Sequence, residues 1–159
     1  MMFKEYADFG LRFIATAIDF IWMVTVIVAC FYFLLGMDVL IQLLHDEQAA
    51  LQGIDWQTFL LSDGLPFLLT LFFWMRYGAT PGKMIADCKI VNATTGQPIS
   101  LLQAIVRYFA YLVSALPLGL GFLWIIWDKK KQGWHDKIAN TVVVMHDEMD
   151  VPLSQLVNK

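Results

Sequence analysis

Hydrophobic and polar positions in this chain come in blocks rather than in alternation. Three long apolar runs, residues 13–35, 56–75 and 101–127, are separated by polar stretches. A helix needs about 20 apolar residues to cross bilayer hydrocarbon, and each run is near or above that length. The pattern predicts an all-α membrane protein with two full transmembrane helices and a broken third segment. The first helix runs from about Leu11 and ends at Gly36. The second opens behind Asp55, a capping residue, with Trp56 at headgroup level, and closes at Arg76. Pro66 has no N–H for the carbonyl of Ser62, so a kink is expected near Gly64. The third run opens with a capping box, Ser100 with Gln103. Its centre, "ALPLGLG", holds Pro117, Gly119 and Gly121.

The polar stretches carry their own elements. In 36–55, Val39, Leu40, Leu43, Leu44 and Leu51 recur at helical spacing, which predicts an amphipathic helix on the membrane surface. "CKIV" at 88–91 and the β-branched run Thr141 to Val144 read as strands, with turn chemistry in "TTGQP". Residues 1–145 read as one domain and 146–159 as a short acidic tail.

Charge decides the sidedness. Lys and Arg near spans favour the cytoplasm. Residues 36–55 hold none, whereas 76–100 hold three and 128–140 hold four. The N-terminus and both basic segments are therefore placed inside. Two cytoplasmic flanks require an even number of crossings between them, yet 27 helical residues extend only about 40 Å. Residues 101–127 are then either a Pro/Gly-broken helical hairpin or one kinked third span. The hairpin is favoured because a single crossing would put four lysines outside. It also lets "CKIV" and "TVVV" meet as a small cytoplasmic β-element.

Composition agrees with the blocks. The chain is 58% hydrophobic and 16% charged, with mean hydropathy +0.60 and net charge −3, against about a quarter charged in soluble domains. No basic face is present to bind nucleic acid. Cys30 and Cys88 do not form a disulfide framework or a metal cluster. "GATPGK" lacks P-loop spacing. "WHDK" lacks the separated ligands of a metal phosphohydrolase. His45, Asp46 and Glu47 read as a solvated helix face. No metal, cofactor or enzymatic activity is expected.

The candidate chemistry is charge inside apolar sequence. Arg12 and Asp19 share one face of the first span, about 10 Å apart along the axis, so partners from other segments are expected. Charged residues in spans are rare and point to function by default; the alternative is a polar clamp that fixes helix packing. Asp63 sits beside the expected kink. Arg107 lies two turns into its helix and is expected to snorkel to the surface. On residue type alone, Asp128 and Asp136 read as a solvated loop.

Together these residues resemble the RDD family of small bacterial membrane proteins. The likeness covers Tyr6 to Met145. It rests on Arg12, Ala15 and Asp19, on "TPGK" followed by "KIVNATTGQPIS", on Arg107 and on "LPLGLGFLWIIWDKKKQGWHDKIANTVVV". The family is named for an arginine and two aspartates, which by position are Arg12, Asp128 and Asp136, with Asp19 an additional acid. The chain departs from the family pattern at Asn140, where a Gly is usual, and at "DCK". The resemblance implies a multi-pass protein of the bacterial inner membrane. The resemblance and the residues together leave two competing roles. One is a monovalent cation/proton transporter for Na+, Li+ or H+, built as a homo-oligomer, with Asp19 and Asp63 as carriers tuned by Arg12 or Arg107. The other is a non-transporting scaffold or accessory subunit that binds a partner protein or anionic lipid.

Overall fold

The computed structural model describes residues 6–34, 36, 41, 45 and 56–145. The surface helix expected over 36–55 is outside these residues apart from three positions. The Asp55 cap and the 146–159 tail are outside them entirely.

Helix α1 spans Phe9–Leu34. Its start is fixed by Asp8, whose carboxylate accepts the Leu11 N–H at 2.8 Å. It ends at Gly36, where φ is +87° and the N–H reaches back to the Phe31 carbonyl at 3.1 Å. Among the described helices α1 alone is long and apolar enough to cross a membrane unbroken, and 6% of its most apolar window is buried.

The second apolar block is helical but divided. Helix α2 (Trp56–Phe59) leads into a π-helical segment, Leu60–Gly64, and then α3 (Leu65–Tyr77). The Leu65 N–H bonds the Leu60 carbonyl, five residues back. Where a proline kink was expected, the chain widens into a π turn one residue before Pro66. This relieves the clash of the proline ring with the preceding turn.

The described chain divides into two compact units, 1–19 with 71–159, and 20–70. The first holds the remaining elements: α4 (Pro81–Ile85), β1 (Cys88–Asn92), α5 (Leu101–Ala115), α6 (Leu120–Leu123), a 3-10 turn (Trp124–Ile126), α7 (Trp134–Ile138) and β2 (Thr141–Met145). The predicted capping box opens α5: the Gln103 N–H donates to Ser100 Oγ at 3.3 Å, and the Ser100 N–H to Gln103 Oε1 at 3.1 Å.

The two expected strands do pair. They run antiparallel, with Cys88 opposite Met145 and Asn92 opposite Thr141. Ile90, Val142 and Val143 are sealed between them and the helices, and Val91, Ala93, Val142 and Val144 cluster with Tyr6 packed against them. Ala7 donates to the Val143 carbonyl and Ile90 to the Gly78 carbonyl. This pairing brings both ends of the 93–140 segment back to one place. Between them, α5 and the stretch 120–126 are bent by 110°. The turn uses left-handed backbone at Leu118 and Gly119. A Cβ at Gly121 would lie 2.5 Å from Ser114 Cα, so the two limbs touch there. The apolar tip faces outward, with Leu118 96% exposed.

Candidate functional site

The charges hidden in the apolar sequence gather into two centres within the first unit. Asp136 is the middle of one. It lies in the first turn of α7, is 0% exposed, and closes that turn by accepting the Gly133 N–H on Oδ2 at 3.0 Å. Arg12, one turn into α1, donates from Nη1 to the same oxygen at 2.6 Å, and from Nε to the Ala7 carbonyl at 3.0 Å. Arg107, from the middle of α5, meets Oδ1 through Nη1 at 2.6 Å. That contact is an ion pair rather than an aligned hydrogen bond; the same Nη1 donates to Thr141 Oγ1 at 2.5 Å. The Arg107 guanidinium also lies 5.4 Å from the Trp74 ring and 6.0 Å from the Tyr111 ring.

Burying a carboxylate costs several kcal/mol unless it is fully paired. Burial alone would push the Asp136 carboxyl up, but the Arg107 and Arg12 guanidiniums outweigh it and hold the group well below the usual carboxylate range. His135 is the opposite case. Burial drives its pKa from 6.5 down to about 3 against the pull of Asp136, with Arg107 and Arg12 adding to the fall. The imidazole is therefore neutral. Its Nδ1 meets Ser114 Oγ at 3.2 Å, and Ser114 accepts the His135 backbone N–H at 3.0 Å. Two guanidiniums against one carboxylate, with a neutral imidazole, leave the centre net positive. Three buried donors, Arg12 Nη2, Arg107 Nε and Trp74 Nε1, have no acceptor among the described residues.

The second centre is built on Asp19, seven residues further along α1. Its carboxylate caps α4. Oδ1 accepts the Gly82 N–H at 2.6 Å; Oδ2 accepts Thr80 Oγ1 at 2.5 Å and Lys83 Nζ at 3.2 Å. Lys83 is itself buried. The helix can approach this closely because residue 82 is glycine. A Cβ there would stand 2.2 Å from the Ala15 carbonyl oxygen.

The other two sequence candidates belong to neither centre. Asp128, partly buried, pairs with Lys137 and accepts the N–H groups of Lys130 and Gln132. Burial raises its pKa, but these partners lower it further than burial lifts it. Asp63 is exposed in the π segment and accepts Ser62 Oγ at 2.6 Å.

Three sequence readings are thus corrected. Arg107 does not snorkel; it is 1% exposed because Asp136 offers a stronger partner than the membrane surface. Asp136 is no solvated loop residue. The kink at Pro66 is a π turn. The expectation that Arg12 and Asp19 find partners outside their own helix agrees with the structure. Thr80, Gly82, Lys83, Ser114 and His135 carried no separate sequence signal as site residues, since each is a common residue in a loop or helix until the fold assembles it.

The chain is 35% identical over 100 residues to the proline-rich antigen homolog of Mycobacterium tuberculosis, covering 62% of this chain and 42% of that one. It is 33% identical over 129 residues to the proline-rich antigen of Mycobacterium leprae, covering 69% and 52%. It is 45% identical over 65 residues to the uncharacterized protein YxaI of Bacillus subtilis, covering 41% and 42%. The chain spans about half the length, or less, of these relatives. No solved structure matches it. The RDD family profile matches residues 6–140, a range that contains the acids and guanidiniums of both charge centres, β1 and the bent helix pair; the chain belongs to the RDD family of membrane-associated proteins.

Proposed function

We propose that this protein is a non-transporting, non-enzymatic membrane scaffold or accessory subunit whose buried charges clamp its fold. The observation that carries the reading is the state of Asp136. A cation carrier must trade one counter-ion for another. Asp136 is sealed, held ionised by two guanidiniums, and set in a centre of net positive charge that repels Na+. Asp19 is likewise committed to Thr80, Gly82 and Lys83. Both acids join the start of α1 to elements far along the chain, which is what a clamp requires.

The same reading supports a multi-pass protein of the bacterial inner membrane with a cytoplasmic N-terminus. The second block supplies the second crossing as α2, the π segment and α3 together. The strand pairing returns residue 141 to residue 92, which supports a path in which residues 101–127 enter the membrane and leave on the same side. The 110° bend and the outward apolar tip fit that path. Ser114, His135 and Asp136 match a hydrolase triad by residue type. Here, however, Ser114 is 0% exposed and spends its hydroxyl on the α7 backbone, which favours a structural role.

One observation favours the rival transporter reading. Asp63 is an exposed acid in a π-helical break of an apolar helix, and it pairs with no cation among the described residues. The experiment compares Asp136→Asn, Asp19→Asn and Asp63→Asn by melting in detergent and by Na+- or Li+-dependent proton flux in proteoliposomes. The clamp predicts that the first two melt lower, with Asp136→Asn losing about 3–5 kcal/mol as two guanidiniums are left uncompensated, and that wild type shows no flux. Flux in wild type that disappears in Asp63→Asn or Asp19→Asn with melting unchanged would replace the scaffold with a transporter.

A further inference from the structure

We infer that the loop joining the bent helix pair to α7 is a docking surface for the phosphate headgroups of an anionic lipid leaflet. This deepens the scaffold reading, and rests on it, by naming the partner of one face. The loop begins where the returning limb ends. Ile126 and Trp127 are exposed there, Trp127 at 69%. Asp128 follows and turns inward. Its carboxylate takes the Lys130 and Gln132 N–H groups and the Lys137 ammonium. That one acid therefore both shapes the loop and is neutralised. Lys131 folds back, its Nζ donating to the Ile126 carbonyl at 3.2 Å. What remains on the outside is Lys129 and Lys130, exposed and without an ion pair among the described residues.

The surface thus has two zones within a few residues. Exposed indole and aliphatic side chains come first, then unpaired ammonium groups. Ile138, exposed on the next helix, continues the apolar zone, while Lys137, 5.6 Å from the Trp124 ring centre, is held by Asp128. A soluble acidic protein would be met by the ammonium groups but would leave Trp127 and Ile126 in water. A leaflet of anionic phospholipid satisfies both, since Trp prefers the headgroup boundary and lysines gather at a negative surface.

The test uses the full chain in nanodiscs of phosphatidylcholine, with and without phosphatidylglycerol, scored by melting temperature. Phosphatidylglycerol is expected to raise the midpoint by several degrees at low salt, with the gain shrinking in 0.5 M salt as a screened contact must. The Lys129→Gln/Lys130→Gln double variant should lose at least half of that gain while melting like wild type in pure phosphatidylcholine. Because neither lysine touches Asp136 or Asp19, failure here leaves the clamp test undisturbed. An equal gain in the double variant, or no gain in wild type, would overturn the assignment. So would full stabilisation in pure phosphatidylcholine by inorganic phosphate, which would mean phosphate chemistry without a membrane, or by poly-glutamate, which would mean an acidic protein partner.

Discussion

His135 shows how a single residue reports on this site. It is buried neutral between Ser114 and Asp136, with its pKa depressed from 6.5 to about 3. The unfolded chain therefore binds a proton that the folded chain refuses. Stability is complete above about pH 6.5 and declines as pH falls towards 3, by up to about 1.4 kcal/mol per unit. Asp136, also depressed, adds its own loss below about pH 4. The melting temperature of the wild-type protein should accordingly fall between pH 6.5 and 4.5, and His135→Asn, which cannot take up the proton, should flatten that slope. A wild-type profile flat across this window would mean that His135 is solvated.

At the scale of elements, the decisive feature is the bent pair α5 and α6. Apolar sequence alone would build one straight helix from 101 to 127. It does not, because Pro117 cannot continue the ladder and Leu118 and Gly119 take left-handed backbone. The limbs then close where Gly121 meets Ser114. Gly121→Ala puts a methyl group 2.5 Å from Ser114 Cα, which is backbone and cannot yield cheaply. It should therefore destabilise by about 1–3 kcal/mol, as overpacked sites do, and should disturb His135 through Ser114. Gly119→Ala keeps the contact but strains the turn. Melting of the two variants separates the effects: unchanged melting in Gly121→Ala would mean that the limbs do not touch.

For the whole molecule the question is where each segment lies in the membrane. On the proposed topology, with β1 and β2 paired across the bent helices, residues 89 and 131 lie on one side. Single cysteines at these two positions should react with an impermeant reagent from the same face of sealed inverted vesicles, and a cysteine at 46 from the other. Opposite labelling of 89 and 131 would replace the returning hairpin with a single crossing and would be incompatible with β1–β2 pairing.

The amino-acid sequence by itself determined the membrane character, the extents of the apolar blocks, the Ser100 cap, the break at Pro117 and the two strand segments. These follow from local causes: hydrocarbon solubility, ring geometry at proline, side-chain capping and β-branching all act within a few residues of one another. Which charge meets which was decided only by the tertiary structure. Arg12 and Asp136 are 124 positions apart, and no periodicity links them. Arg107 has the sequence context of a snorkelling residue, and only the placement of α7 beneath it makes Asp136 the nearer partner. Lys83 reads as a solvated lysine until Gly82 lets α4 come within reach of Asp19. An ion pair's strength depends on distance and burial, and both quantities exist only once the chain has folded.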